Sequence, residues 1–239
     1  MKRFRFNILF ILLFIGILGA SAQVINAGVG GNTTVNLLGR LEKDVLSEKP
    51  DLVILMVGTN DMLNSKKMIS YKTYRKNLEK LVKSIKKNGS DVLLMSSPRV
   101  DSVYLYERHT KQAFSETPNQ KLKKASVIVS KIAAKNQLHF LDVHQAFGDL
   151  NLPRHNEDLF IRNPKNSNAR DGVHPTALGY HFIGELVFQY LQKNDLLDTN
   201  NKIICFGDSI TNGSGVKDKA HAYPGVLQGL INAYSKHKK

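Results

Sequence analysis

Ser209 stands in Phe206-Gly207-Asp208-Ser209-Ile210, directly behind the apolar run Lys202 to Phe206 (KIICF). A serine on a glycine-flanked turn at the carboxyl end of a parallel strand projects its Oγ where open α/β sheets place their ligands. Its hydroxyl is a poor nucleophile until a base takes the proton, and that base needs an acceptor on its far ring nitrogen. Asp171-Gly172-Val173-His174-Pro175 supplies both. With two residues between them on one turn, the Asp171 carboxylate can reach His174 Nδ1 and leave Nε2 for a hydroxyl. Val57-Gly58-Thr59-Asn60-Asp61 follows another apolar run and places the Asn60 amide where it can donate to a developing oxyanion. Asn26 to Thr34 (NAGVGGNTT) is a Gly-rich passage whose backbone N–H groups can serve the same anion.

Each block alone has a plainer reading. Asp208 or Ser209 can cap the next helix, Asp171 can cap a turn, and Asn60 can end its strand in an Asx turn. The Gly-rich passage can be a flexible leader or a nucleotide cradle, although no Gly-Lys-Ser/Thr follows it and GVGGNT does not complete GxGxxG. The conjunction weighs more. Every block falls behind a predicted strand, so all four reach one edge of one sheet and supply nucleophile, base, orienter and two kinds of oxyanion donor.

The elements that must position them alternate short apolar runs with longer amphipathic stretches, the pattern of a parallel sheet covered by helices. Strands are expected at Val24 to Asn26, Asp51 to Val57, Asp91 to Met95, Leu138 to Val143 and Lys202 to Phe206. DLVILMV is apolar without alternation, as a central strand buried on both faces should be. Helices are expected at Thr34 to Ser47, Tyr71 to Asn88, Asn119 to Asn136, Ala177 to Gln192 and Pro224 to Tyr234. These make one three-layer α/β/α, flavodoxin-like domain with a five-stranded parallel sheet. Pro98 to Pro118 and Gly148 to Arg170 carry weak patterns and read as loops over the site.

With FGDSITNG, NAGVGGNTT, VGTNDM and DGVHPTALGY, the chain resembles SGNH hydrolases of the GDSL esterase/lipase family. The resemblance implies a Ser209 nucleophile, a His174 base and an Asp171 partner. It also implies an oxyanion hole from the Ser209 and Gly31 amides and the Asn60 side chain, with no metal or cofactor. Gly31 is chosen over Gly30 because it directly precedes Asn32-Thr33, where family members have Gly-Asp-Thr. The order departs from the family: the GDS block closes the chain instead of opening it. Moving residues 202–239 ahead of Gln23 restores the usual order, the pattern of a circular permutation. Residues 193–201 then form a new linker between old ends, and the regions near Gln23 and Lys239 should be neighbours.

The first segment reads as an address. Lys2, Arg3 and Arg5 precede the apolar run Ile8 to Leu18, and Ala20-Ser21-Ala22 offers a signal-peptidase cut before Gln23. An exported or periplasmic protein is expected, with an uncleaved anchor as the alternative. The 239 residues carry 34 Lys+Arg against 20 Asp+Glu, a formal charge of +14. The basic residues are scattered along helices, so a solvated surface is expected and not a dedicated nucleic-acid module. One cysteine, Cys205, excludes an intrachain disulfide and a multi-cysteine zinc site. The expected reaction is hydrolysis of short acyl or O-acetyl esters on carbohydrates through an acyl-enzyme. A lysophospholipase or thioesterase, a noncatalytic glycan-binding protein and a nucleotide-binding flavodoxin-like domain are the rivals. Tyr104, Tyr106 and Phe114 either stack on a sugar ring or pack the loop that holds them. Oligomeric state is left open.

Overall fold

The computed structural model describes residues 22–237. The expected leader lies outside them, apart from Ala22. Strand β1 (Gln23–Gly28) leads through the glycine passage into α1 (Thr34–Leu41), which continues as a π-helical turn over Glu42–Leu46. Strand β2 (Leu52–Met56) is followed by the short α2 (Thr59–Leu63) and the long α3 (Tyr71–Lys87). Next come β3 (Asp91–Met95), α4 (Ser102–Arg108), α5 (Pro118–Asn136) and β4 (His139–Leu141). Helices α6 (Val143–Asp149), α7 (Pro164–Ser167) and α8 (Ala177–Lys193) precede β5 (Lys202–Gly207). The chain ends with α9 (Ser209–Asn212) and α10 (Tyr223–His237).

The five strands are parallel in the order β1-β5-β2-β3-β4. Counting from β5 as the first, that order becomes 2-1-3-4-5, the flavodoxin-like doubly wound arrangement, with its switch point between β5 and β2. Alternate residues of each central strand serve opposite faces. Val53, Leu55, Ile204 and Phe206 pack under α1, α3 and α5, while Leu52, Ile54, Ile203 and Cys205 pack under α6, α8 and α10. Every residue of β2 is buried, which explains its unbroken apolar sequence. Helix α3 starts where the Ser70 hydroxyl accepts the Thr73 N–H at 3.1 Å, and it buries Tyr74, Leu78, Leu81, Val82 and Ile85. Gly89 beyond its end has φ +90, a conformation that side chains rarely adopt.

Two stretches differ from expectation. Pro98 to Pro118 holds the helix α4, and Gly148 to Arg170 holds a 3₁₀ turn (His155–Glu157) and α7. Strand β4 stops at Leu141 because the Asp142 carboxylate accepts the Gln145 N–H at 3.1 Å and opens α6. The segment expected to be a linker is packed: Leu196, Leu197 and Asn200 are buried, and the Asn201 N–H donates to Asp51 Oδ2 at 2.9 Å. Its Asn201 carbonyl accepts the Gln23 N–H at 2.7 Å. At the other junction, Gln228 of α10 donates to the Ala22 carbonyl and accepts the Val24 N–H, so α10 is bonded to the start of β1.

Candidate active site

Ser209, Asn60 and Gly31 follow strand ends at one edge of the sheet, whereas Asp171 and His174 lie in the loop between α7 and α8 and not behind a strand as expected. Ser209 opens α9 directly behind β5, Asn60 lies in α2 behind β2, and Gly31 lies behind β1. Asp208 caps α9, its Oδ1 accepting the Ile210 N–H at 2.9 Å. Ser209 Oγ lies 3.0 Å from His174 Nε2, and His174 Nδ1 lies 2.9 Å from Asp171 Oδ2. The Asp171 Oδ1 also accepts the Val173 and His174 N–H groups, each at 3.0 Å, which fixes the turn as one unit. Burial alone would raise the Asp171 pKa. The bond and charge of His174, with those two backbone donors, outweigh it and hold the carboxyl well below the usual range. A carboxylate so held keeps the Nδ1 proton in place and leaves Nε2 able to accept from a hydroxyl.

The glycine passage is tied to the asparagine turn. Asn60 Nδ2 donates to the Asn32 carbonyl at 3.0 Å, using one of its two hydrogens. Asp61, wholly buried, accepts the Thr34 N–H at 3.0 Å and the Thr34 hydroxyl at 2.5 Å. Burial raises its pKa, and the Thr34 bonds offset part of that rise. Gly31 has φ +73, so a side chain there would strain the turn. Gly28 is needed for another reason: a Cβ would lie 2.1 Å from the Asn212 nitrogen, where α9 crosses β1.

Ser209, His174 and Asn60 line a crevice of about 60 Å³, together with Thr59, Leu63, Asn64, Leu105, Arg108, His109 and Val173. Gly31 is not in its lining. Tyr104, Tyr106 and Phe114 do not line it either, and of the two readings offered for them their contacts match packing of the loop. Tyr104 is 2% exposed, donates to Asn156 Oδ1 at 2.7 Å and stacks on His155 at 4.8 Å, while Tyr106 meets Phe114 edge-on at 5.7 Å. Among the described residues no cluster of His, Cys, Asp and Glu could hold a metal ion, and no helix is long and apolar enough to cross a membrane. Cys205 is buried in β5, and burial pushes its thiol up to about 12, too high for a nucleophilic thiolate.

Several supporting residues had no distinct local signal. Arg40 of α1 donates to Asn32 Oδ1 at 2.8 Å, the Ala27 carbonyl at 2.9 Å and the Gly207 carbonyl at 2.7 Å, joining the glycine passage to the end of β5. Arg162 clamps the Asp–His turn. Its N–H donates to the His174 carbonyl at 3.0 Å, its carbonyl accepts the Gly172 N–H at 3.0 Å, and Nη1 lies 3.3 Å from Asp171 Oδ2. Only the Arg40–Asp44 spacing of four on one helix was readable, as an ion pair.

Comparison with known proteins decides the family. The profile of the GDSL-like Lipase/Acylhydrolase family matches residues 16–182. The chain belongs to this family. It is an ester-hydrolysing serine hydrolase. The matched segment contains Gly31, Asn60, Asp171 and His174 but ends before Ser209. An acetylxylan esterase from Geobacillus stearothermophilus is 28% identical over 182 residues, covering 71% of this chain and 74% of that protein. An arylesterase from Vibrio mimicus is 36% identical over 77 residues, 32% of this chain and 37% of that one. The crystal structure of a catalytic mutant of the Geobacillus enzyme shares the fold, with a TM-score of 0.56 at 22% identity over 71% of this chain and 72% of that one. The catalytic mutants of that enzyme replace a serine near the start of its chain, and an aspartate and a histidine three positions apart much later.

Proposed function

We propose that the protein is an exported carbohydrate esterase that removes acetyl or other short acyl groups through Ser209, His174 and Asp171. The observation that carries this reading is the continuous relay from Asp171 through His174 to Ser209 Oγ, with bonds of 2.9 and 3.0 Å. His174 Nε2 takes the Ser209 proton as Oγ attacks the ester carbonyl. The oxyanion is met by the second Asn60 hydrogen and by the Ser209 N–H; Gly31, which the family pattern adds as a third donor, is outside the crevice lining. Collapse expels the alcohol, which leaves with the proton held on His174. Water then adds to the acyl-enzyme, giving its proton to His174, and the acid departs as Oγ recovers it.

The crevice favours a short acyl group over a lysophospholipid chain. About 60 Å³ matches about two water-sized groups, room for a methyl and a carbonyl oxygen. The acetylxylan esterase relative favours a glycan as the alcohol. The chain order follows from the same reading. The relative's catalytic serine precedes its aspartate and histidine, the sheet order becomes 2-1-3-4-5 when counted from β5, and α10 is bonded to the start of β1. All three support a circular permutation with residues 193–201 as the newer connection. Export, with cleavage after Ala22, completes the reading.

Labelling by a fluorophosphonate probe, with acetate release from 4-nitrophenyl acetate and acetylated xylo-oligosaccharides, tests it. Covalent capture that vanishes in Ser209→Ala, with turnover lost by about 10⁴-fold or more, is expected. Folded protein that neither labels nor hydrolyses any ester would overturn it in favour of a noncatalytic binder.

A further inference from the structure

Among the described residues no carboxylate lines the crevice, and Arg108 is the one permanently charged residue in its lining. The local fold explains its place. The Asp101 carboxylate caps α4 by accepting the Val103 N–H at 2.9 Å, and the Asp101 N–H donates to the Gly172 carbonyl at 2.7 Å. Helix α4 is therefore hung on the Asp–His turn, and Arg108 falls in its last turn, where a cation suits the carbonyl end. Arg108 Nη2 donates to the Asp171 carbonyl at 2.6 Å and lies 3.5 Å from the Asp171 Oδ1. A guanidinium has five N–H donors, so the Nη1 and Nε side of the fork is left for a second partner.

More positive charge stands beside it. His109 joins α4 to the loop after α2, with Ser65 Oγ 3.1 Å from its Nδ1. Lys66 follows Ser65 directly, so the contact of Ser65 with His109 brings Lys66 beside the last turn of α4; burial, with the charges of Arg108 and Lys66, lowers the His109 pKa. The exposed Lys67 donates Nζ to the Gly31 carbonyl at 2.8 Å. Glu107, the acidic residue adjoining Arg108, is paired with Arg170. Among the described residues the crevice lining offers a neutral sugar ring no phenylalanine or tyrosine face, and the chain has no tryptophan.

We propose that the ester cleaved at Ser209 carries an anionic oxygen group on its alcohol part, a carboxylate or a phosphate, seated on Arg108 with Lys66 and Lys67 behind it. The proposal rests on the serine-esterase reading and narrows its substrate to an acidic acetylated saccharide. Arginine's planar fork suits both oxyanions. Each exposed pairing adds only about two- to fivefold and is screened by salt, so the preference comes from the group of charges.

The test measures acetate release by the full chain from three acetylated oligosaccharides of equal length: neutral xylose-based, uronic-acid-based and phosphate-bearing. Hydrolysis of 4-nitrophenyl acetate runs alongside. At low ionic strength, kcat/KM on one acidic substrate is expected to exceed the neutral one by about tenfold, mostly through KM, and to fall toward it at about 0.3 M NaCl. The favoured arm identifies carboxylate or phosphate. Lys66→Glu and Arg108→Gln should each lower the acidic-to-neutral ratio. The ratio is the readout because Arg108 also touches Asp171 and its loss slows every substrate. Should Arg108→Gln fail to fold, the salt dependence and Lys66→Glu still decide. Equal, salt-insensitive kcat/KM on all three oligosaccharides overturns the proposal and leaves the esterase standing. Absence of 4-nitrophenyl acetate hydrolysis and of probe labelling overturns the esterase reading itself.

Discussion

The turn at Asp171 and the turn at Asp208 meet at one site, and their carboxylates settle on opposite sides of the ordinary range. Asp171 is buried, but it faces a histidine, the guanidinium groups of Arg108 and Arg162, and two backbone N–H groups. Asp208 is more deeply buried, and its carboxylate accepts the Ile210 N–H at 2.9 Å. Burial pushes Asp208 up to about 7, against the pull of the Ile210 N–H and the nearby His174, and with a further push from Asp61. Burial acts on both, so partners decide the difference: one turn is built to hold a charge, the other to hold a cap. The sequence DGVH fits the first role because the aspartate and histidine share one turn. In GDS the serine follows the aspartate directly, so the carboxylate points back at its own helix start.

The largest effect expected from this contrast is Asp171→Asn. An amide can donate to His174 Nδ1, which puts the ring proton on Nε2 and leaves no acceptor for the Ser209 hydroxyl. The kcat on 4-nitrophenyl acetate should fall by about 10³–10⁴-fold with little change in KM. A loss under tenfold would mean that Asp171 serves the fold more than the relay. Asn60→Ala should cost less, about 10²–10³-fold in kcat, as removal of one oxyanion donor does elsewhere.

A smaller effect is expected at the clamp. Arg162→Met keeps the backbone bonds to His174 and Gly172 and removes only the guanidinium at Asp171 Oδ2. We expect a drop of about tenfold in kcat with KM little changed. An unchanged kcat with lowered Tm would assign Arg162 to stability alone.

How far the site was readable follows from where its information lies. Ser209 and Asn60 stand in short blocks behind apolar strands, and a strand buried on both faces writes itself into consecutive residues, as DLVILMV does; Asp171 and His174 share one short turn before α8. Arg40 and Arg162 are different. The Gly207 carbonyl that Arg40 holds lies 167 positions away, and nothing near Arg40 sets it apart from other surface arginines. Helix α4 escaped notice because seven residues give two turns, with Val103 exposed and Tyr104 and Leu105 buried. Its support is the distant Gly172 carbonyl, which no local pattern records. Helix α6 was hidden in the same way: LDV reads as a strand until Asp142 is seen to accept from Ser96 at 2.6 Å and Gln145 at 3.1 Å.

The smallest expected effect on catalysis, and the finest probe of the contrast, is Asp208→Asn. The amide oxygen can still accept the Ile210 N–H, so kcat should stay within about tenfold of wild type. Stability is where the exchange shows. The unfolded Asp208 carboxyl titrates near 3.8 and the folded one near 7, so between those values the folded state binds more protons. Stability from this group is then present in acid and lost as pH rises toward 7. For Asp171 the sign is reversed: its lowered pKa gives stability above the ordinary carboxylate range, lost as pH falls through the folded value. Asparagine cannot ionise, so Asp208→Asn should match wild type near pH 4 and exceed its Tm by about 3 °C or more at pH 8. Thermal unfolding across that range checks it. A Tm difference that does not change with pH would show that Asp208 ionises as freely folded as unfolded, and the opposition between the two turns would fail.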